Sequence, residues 1–155
     1  QNFILAEAAT RGWISADASD YYKKGIKASM DFITTYTPDE EIYHHGHPLT
    51  EDVKNAFLET PQIQLGSNKE ENIEKILTQR YLASFMQHPY DYRRTGYPKL
   101  PINPETNQNP VHDKIPVRWM YPKSEYDYNK ENVEEAVQRQ FGGVDDVNKE
   151  MWILQ

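Results

Sequence analysis

The sequence predicts a mainly α-helical protein in which helices pair and the pairs are joined by long irregular loops rich in proline and tyrosine. Three observations predict it. Apolar residues recur at three- and four-residue steps in several separate stretches, the period of a helix with one buried face. Two such stretches at the N-terminus are separated by a short join, which favours an antiparallel hairpin. Between Gly96 and Tyr128 the rhythm disappears, and six prolines interrupt the chain.

Residues 2–13 read as the first helix, with Phe3, Ile4, Leu5, Ala8 and Ala9 on its apolar face and Gly12 at its end. Residues 17–36 read as the second, striped by Ala18, Tyr22, Gly25, Ile26, Ser29 and Ile33. A glycine inside a helix costs about 1 kcal/mol relative to alanine. Gly25 therefore points to a neighbouring helix passing close by, against Ala8 and Ala9. The pair 2–36 resembles one tetratricopeptide-like unit, and a single unit of that kind leaves a face uncovered. The opening Gln1–Ala9 falls into helical rhythm at once, with no initiator methionine and no signal-peptide core. The expectation is a fragment of a larger α protein, with a missing N-terminal part packed beside the pair.

Thr37-Pro38 opens a loop carrying His44, His45 and His47. Thr50 is placed to cap a helix over about 50–58, with Glu51 and Asp52 in the first turn and Val53, Ala56 and Phe57 buried. The clearest helix spans 67–86. Ser67 and Glu70 have capping-box spacing. Ile73, Ile76, Leu77, Tyr81, Ser84 and Phe85 share one face, and His88-Pro89 ends or kinks the helix. Tyr92–Pro98 reads as a polar, aromatic turn holding Arg93 and Arg94. The segment 96–128 reads as irregular, and its Ile115–Pro122 stretch as either a short strand or a strap across the helices. A last helix covers 130–141, capped by Asn129 or a neighbour, lined by Val133, Ala136, Val137 and Phe141, and stopped by Gly142-Gly143. Met151-Trp152-Ile153 is expected to pack down as an apolar tail.

Composition excludes several functions. The chain has 155 residues and a net charge of −7, which argues against nucleic acid as the main partner. It has no cysteine, so disulfides, thiolate metal sites and cysteine nucleophiles are out. No apolar run is long enough to span a bilayer. No nucleophile elbow, His-Glu-x-x-His or phosphate loop is present, so no catalytic residue and no cofactor site are assigned. The three histidines lack a paired cysteine or a well-placed further ligand, so no metal is assigned to them. Asp145-Asp146 lacks the oxygen count of a calcium site. At least one of Arg93 and Arg94 is expected to fix its turn through a helix carbonyl or a carboxylate such as Asp91 or Glu125, the other option being a clamp for an anionic ligand. The chain has eleven tyrosines and three tryptophans. Tyr90, Tyr92, Tyr97, Tyr121, Tyr126 and Tyr128 fall near the irregular segment. They are expected mainly to pin loops through hydroxyl-to-backbone bonds, with sugar stacking as the alternative.

Five stretches then carry a resemblance, in order along nearly the whole chain. They are Ala6–Trp13 (AEAATRGW), Tyr21–Ser29 (YYKKGIKAS), Glu74–Ala83 (EKILTQRYLA), Tyr92–Pro98 (YRRTGYP) and Ile115–Pro122 (IPVRWMYP) leading to Glu125 and Asn129, with Lys149–Trp152 closing the chain. Together they resemble the C-terminal portion of the SusD/RagB family, the outer-membrane nutrient-binding lipoproteins of Bacteroidetes. That resemblance implies a SusD-like helical fold with chain 1–155 as one C-terminal portion, and a glycan or other nutrient as ligand. It further implies a TonB-dependent, SusC-like transporter as partner and a cell-surface lipoprotein whose anchor lies upstream. It assigns no ligand-binding residue here. Two other readings stand beside it: a helical-repeat scaffold for protein contact, and a fragment of a carbohydrate-active enzyme.

Overall fold

The structure, a computed structural model, describes residues 1–85 and 90–152. Eight helices and no strand occur among them: α1 (Asn2–Arg11), α2 (Ala18–Tyr36), α3 (Glu41–His44), α4 (Glu51–Leu58), α5 (Lys69–Ala83), α6 (Tyr90–Thr95), α7 (Lys123–Tyr128) and α8 (Lys130–Phe141). None of the described helices is long and apolar enough to cross a membrane. The chain forms two compact units, Gln1–Asp91 and Tyr92–Gln155.

In the first unit α1 and α2 make the tetratricopeptide-like hairpin. Gly12 closes α1 in the left-handed conformation at φ 80°, and Asp17 opens α2 by accepting the Ser19 and Asp20 N–H groups. Gly25 does mark a close approach, but Phe3 makes it rather than Ala8 or Ala9. A methyl group on Gly25 would stand 2.9 Å from Phe3 Cε1. The face that α1 buries is also rotated from the expected one. Phe3, Ala6 and Glu7 are inside while Ile4 is 51% exposed, because α1 packs on α5 as well as α2. Glu7 is admitted to the interior by Arg11, whose Nε donates to it at 2.7 Å.

The core of this unit joins Phe3, Ala6, Tyr22, Ile26, Leu58, Ile63 and Ile76. Burying aliphatic side chains of this size stabilises by about 1.5–3 kcal/mol each, so this cluster holds the unit together. Burial pushes the Tyr22 phenol up to about 12. Helix α5 buries Ile73, Ile76 and Leu77, but its cap is Asn68, not Ser67. The Asn68 side chain accepts the Glu70 and Glu71 N–H groups. The helix ends at Ala83, so Phe85 has left its apolar face and is 61% exposed at φ 52°. The expected break at His88-Pro89 lies outside the described residues.

In the second unit α8 buries Val133, Val137 and Phe141 and ends at Gly142 in the left-handed conformation. Asn129 precedes α8 without capping it. Its Oδ1 accepts from the Asn132 side chain instead of a backbone N–H. Tyr92–Pro98 is less irregular than the sequence suggested, since α6 continues to Thr95 before Gly96 turns the chain at φ 75°. The 96–128 segment also ends in a helix, α7. The Ile115–Pro122 stretch is no strand: it bends at Val117-Arg118, whose N–H groups both donate to Val147 O. Trp152 remains 74% exposed rather than packed down, and Ile153 lies outside the described residues.

Candidate functional site

A groove of the first unit forms where α2 runs out. Thr37 leaves the helix in an extended conformation, and Pro38 and Asp39 lead into α3. His45 at φ 48° and Gly46 at φ 77° then reverse the chain. Pro48 and Leu49 bring it back to Thr50, whose Oγ1 accepts the Val53 N–H and starts α4. The result is a groove of about 430 Å³, walled by Ile33, Pro38, Tyr43, Pro48 and Leu49 and edged by Asp39, His44 and His47. This volume falls in the range of small-ligand sites.

His44 stands at the edge of the groove. Its Nδ1 accepts the Gly46 N–H at 3.2 Å. Its Nε2 lies 3.6 Å from Asp39 Oδ1, and its Nδ1 lies 3.7 Å from Glu41 Oε2. The three histidines do not act as a set. His44 and His47 line the groove, whereas His45 forms the turn. Among the described residues no group of three or more His, Asp or Glu side chains is placed to hold a metal ion.

The helix start beside this groove is fixed by a charge network that the sequence reading missed. The sequence placed Val53, Ala56 and Phe57 on the buried side of α4. Instead Lys54 and Leu58 are buried, while Val53 and Ala56 are exposed. Lys54 Nζ donates to Asp31 Oδ1 and Glu51 Oε1, each at 2.8 Å, and to Thr34 Oγ1 at 3.1 Å. Lys27 Nζ adds a 2.7 Å bond to Glu51 Oε2. The hydrogen bonds from Lys27 and then Lys54 bring the Glu51 carboxyl down to about 2. The bonds that Lys54 donates to Asp31 and Glu51 hold its ammonium above its ordinary range. Three acceptors around one ammonium explain why α4 turns its lysine inward. The spacings Lys27/Asp31 and Glu51/Lys54 were the available signal.

In the second unit the charged centre is Arg118. Both terminal nitrogens donate to Asp145 Oδ1 at 2.6 Å, and Nη1 also reaches Asp146 O at 2.9 Å. The guanidinium lies 3.9 Å from the centre of the Phe141 ring. Asp145 Oδ2 takes the Tyr121 N–H and the Tyr126 hydroxyl, each at 2.9 Å. Burial alone would raise the Asp145 carboxyl, but these bonds outweigh it and hold the carboxyl low. Asp145 is thus a structural anion already paired with a cation. Tyr126 lies in α7 rather than a loop, and its hydroxyl pins that helix through a carboxylate rather than a backbone group. The Tyr121 hydroxyl accepts from the Gln140 side-chain amide at 3.4 Å, again a side chain. Tyr128 is 92% exposed. Asn109 and Asn148 exchange two amide bonds at 2.8 Å, which ties the asparagine-rich loop to the chain after α8.

The double arginine lies in the last turn of α6. The carboxylate of Asp91 is engaged by Arg80 at 3.0 Å, and Glu125 accepts from Asn129 at 3.5 Å. Arg93 buries its Nε without a hydrogen-bond partner.

Comparison with known proteins then bears on the whole chain. The family model described as Susd and RagB outer membrane lipoprotein matches residues 1–154. No match was found among curated proteins. Among solved structures, a SusD homolog from Bacteroides fragilis is 73% identical with a TM-score of 0.90, over 99% of this chain and 34% of that one. A second SusD homolog from Bacteroides fragilis is 42% identical with a TM-score of 0.79, over 99% and 33%. A structure described as a chitin-binding protein is 30% identical with a TM-score of 0.76, over 99% and 32%. The chain thus spans about a third of the length of these relatives. Helical hairpin, loop-rich second unit and family match agree, and the chain belongs to the SusD-like family of outer-membrane lipoproteins.

Proposed function

We propose that this chain is the C-terminal portion of a SusD-like domain in a non-enzymatic receptor, which captures an oligosaccharide at the cell surface and presents it to a TonB-dependent transporter. The observation that carries the reading is the family match over residues 1–154, supported by the 73% identity to a SusD homolog. A 30%-identical relative that carries chitin binding in its description makes glycan the favoured nutrient. A binding role also suits the electrostatics. Two carboxyls, those of Glu51 and Asp145, are held low by neighbouring cations. A general acid for glycoside cleavage needs the opposite shift.

The test is calorimetric titration of the full-length protein with maltohexaose, cellohexaose and chitohexaose, each separately. Saturable binding of one of them supports the receptor. Binding of none overturns it. For the transporter, affinity isolation from solubilised outer membranes is expected to bring down a TonB-dependent receptor in stoichiometric amount. Isolation of the protein by itself would remove that partner.

A second reading, a surface for protein contact, is favoured by one observation. Ile4, Phe32, Tyr36 and Phe85 expose large apolar groups on the first unit, and the Phe32 ring lies 4.7 Å from that of Tyr36 and 6.4 Å from that of Phe85. Clustered exposed apolar side chains mark contact sites. The receptor reading accommodates such contacts.

A further inference from the structure

We infer that the groove between the end of α2 and the start of α4 is a saccharide subsite, holding one neutral sugar ring of a longer chain. The inference rests on the receptor reading above and adds to it a place and a set of residues. A sugar ring offers two surfaces. One is a flat patch of C–H groups; the other is a rim of hydroxyls, each both donor and acceptor. A site for it needs an apolar wall with mixed polar groups at the edge.

The groove supplies both. Ile33, Pro38 and Leu49 give aliphatic walls, and Tyr43, 55% exposed, offers an aromatic ring. A flat ring with a polar tip suits a partner that is apolar on one side and wet on the other. The edge is made by His44 and Asp39. Because Nδ1 of His44 accepts the Gly46 N–H, the neutral imidazole carries its proton on Nε2. That donor faces Asp39 Oδ1 at 3.6 Å, too far for a hydrogen bond. A donor and an anionic acceptor stand side by side, unspent on one another. Two adjacent hydroxyls of one ring would complete both.

The geometry also selects against charge. Asp39 and Glu41 both come within 4.0 Å of the imidazole, so the groove's edge is acidic. An anionic ring would meet like charge there, whereas a neutral one would not. The His44 side chain is only 22% exposed, whereas the Asp39 carboxylate stands 91% exposed and open to a ligand.

The test uses the full-length protein and whichever of the three hexasaccharides it binds. Tyr43→Ala is expected to weaken that binding at least about tenfold, and Asp39→Asn by several-fold. Tyr43→Phe keeps the wall and is expected to bind within about twofold of the unsubstituted protein. Tyr128→Ala, in the other unit, is expected to change nothing. Unchanged circular dichroism separates lost binding from lost fold. If Tyr43→Ala and Asp39→Asn bind as tightly as the unsubstituted protein, the subsite is overturned and the receptor reading stands. If the unsubstituted protein binds none of the three sugars, both fall.

Discussion

Gly25 offers the sharpest test of the helix hairpin. Replacing a helical glycine with alanine gains about 1 kcal/mol where nothing opposes it. Here the new methyl would lie 2.9–3.0 Å from three carbons of the Phe3 ring. Overpacking of this kind costs about 1–3 kcal/mol. Phe3 is backed by Tyr22, with ring centroids 6.4 Å apart, but it also borders an open cleft and can retreat part of the way. A mid-range cost of about 2 kcal/mol against a gain of about 1 leaves a net loss of about 1 kcal/mol. The assay is native-state hydrogen exchange of α2 amides around Tyr22–Ile26, which reads local opening in a multi-unit protein. Exchange of those amides is expected to speed up about fivefold in Gly25→Ala, since each 1.4 kcal/mol is a factor of ten. Adding Phe3→Leu should recover most of that loss relative to Phe3→Leu alone, a coupling of about 1–2 kcal/mol. Slower exchange in Gly25→Ala, or strict additivity with Phe3→Leu, would refute the close approach.

Three further outcomes follow from the polar networks. Asp145→Ala strands the buried Arg118 guanidinium and is expected to cost about 3 kcal/mol in the stability of the second unit, read by exchange of α8 amides. Asn109→Ala removes both amide bonds to Asn148 and a 3.0 Å bond to Lys114 O. It is expected to cost about 2 kcal/mol, read as faster proteolysis between Asn103 and Lys114. For pH, Glu51 has a folded value of about 2 against an ordinary 4.5, so it binds fewer protons folded than unfolded. Its stabilising contribution is complete above about 4.5 and is lost as pH falls from there through about 2. Glu51→Gln should flatten the acid side of the stability profile of the first unit over that window, and an unchanged profile would remove Glu51 from the network's role.

What the sequence made legible was local. Gly12, Thr50 and Gly142 marked helix ends because a left-handed turn or a cap is a one-residue requirement. The stripe Ile73–Ile76–Leu77 marked a buried face because helical period is written in the chain itself. The misreadings arose where a distant partner decided. Lys54 faces inward because Asp31 and Thr34, from another helix, complete its ammonium shell. Phe3 rather than Ala8 meets Gly25 because α1 answers to two neighbours at once. Arg118 and Asp145 are 27 residues apart, with nothing in the intervening sequence to announce the pair. Asn68 displaced Ser67 as cap by one residue, a shift smaller than periodicity can resolve. The groove escaped notice for the same reason as the networks. Its walls come from the end of α2 and from Pro48-Leu49, which meet only after His45 and Gly46 turn the chain back.

The most direct test of an oligosaccharide receptor without catalysis is equilibrium dialysis of the full-length protein against a mixture of maltohexaose, cellohexaose and chitohexaose, followed by mass analysis of the sugars on both sides. The account predicts a saturable excess of sugar on the protein side, all recovered as intact hexamer. Equal concentrations across the membrane, or the appearance of shorter fragments, would contradict it.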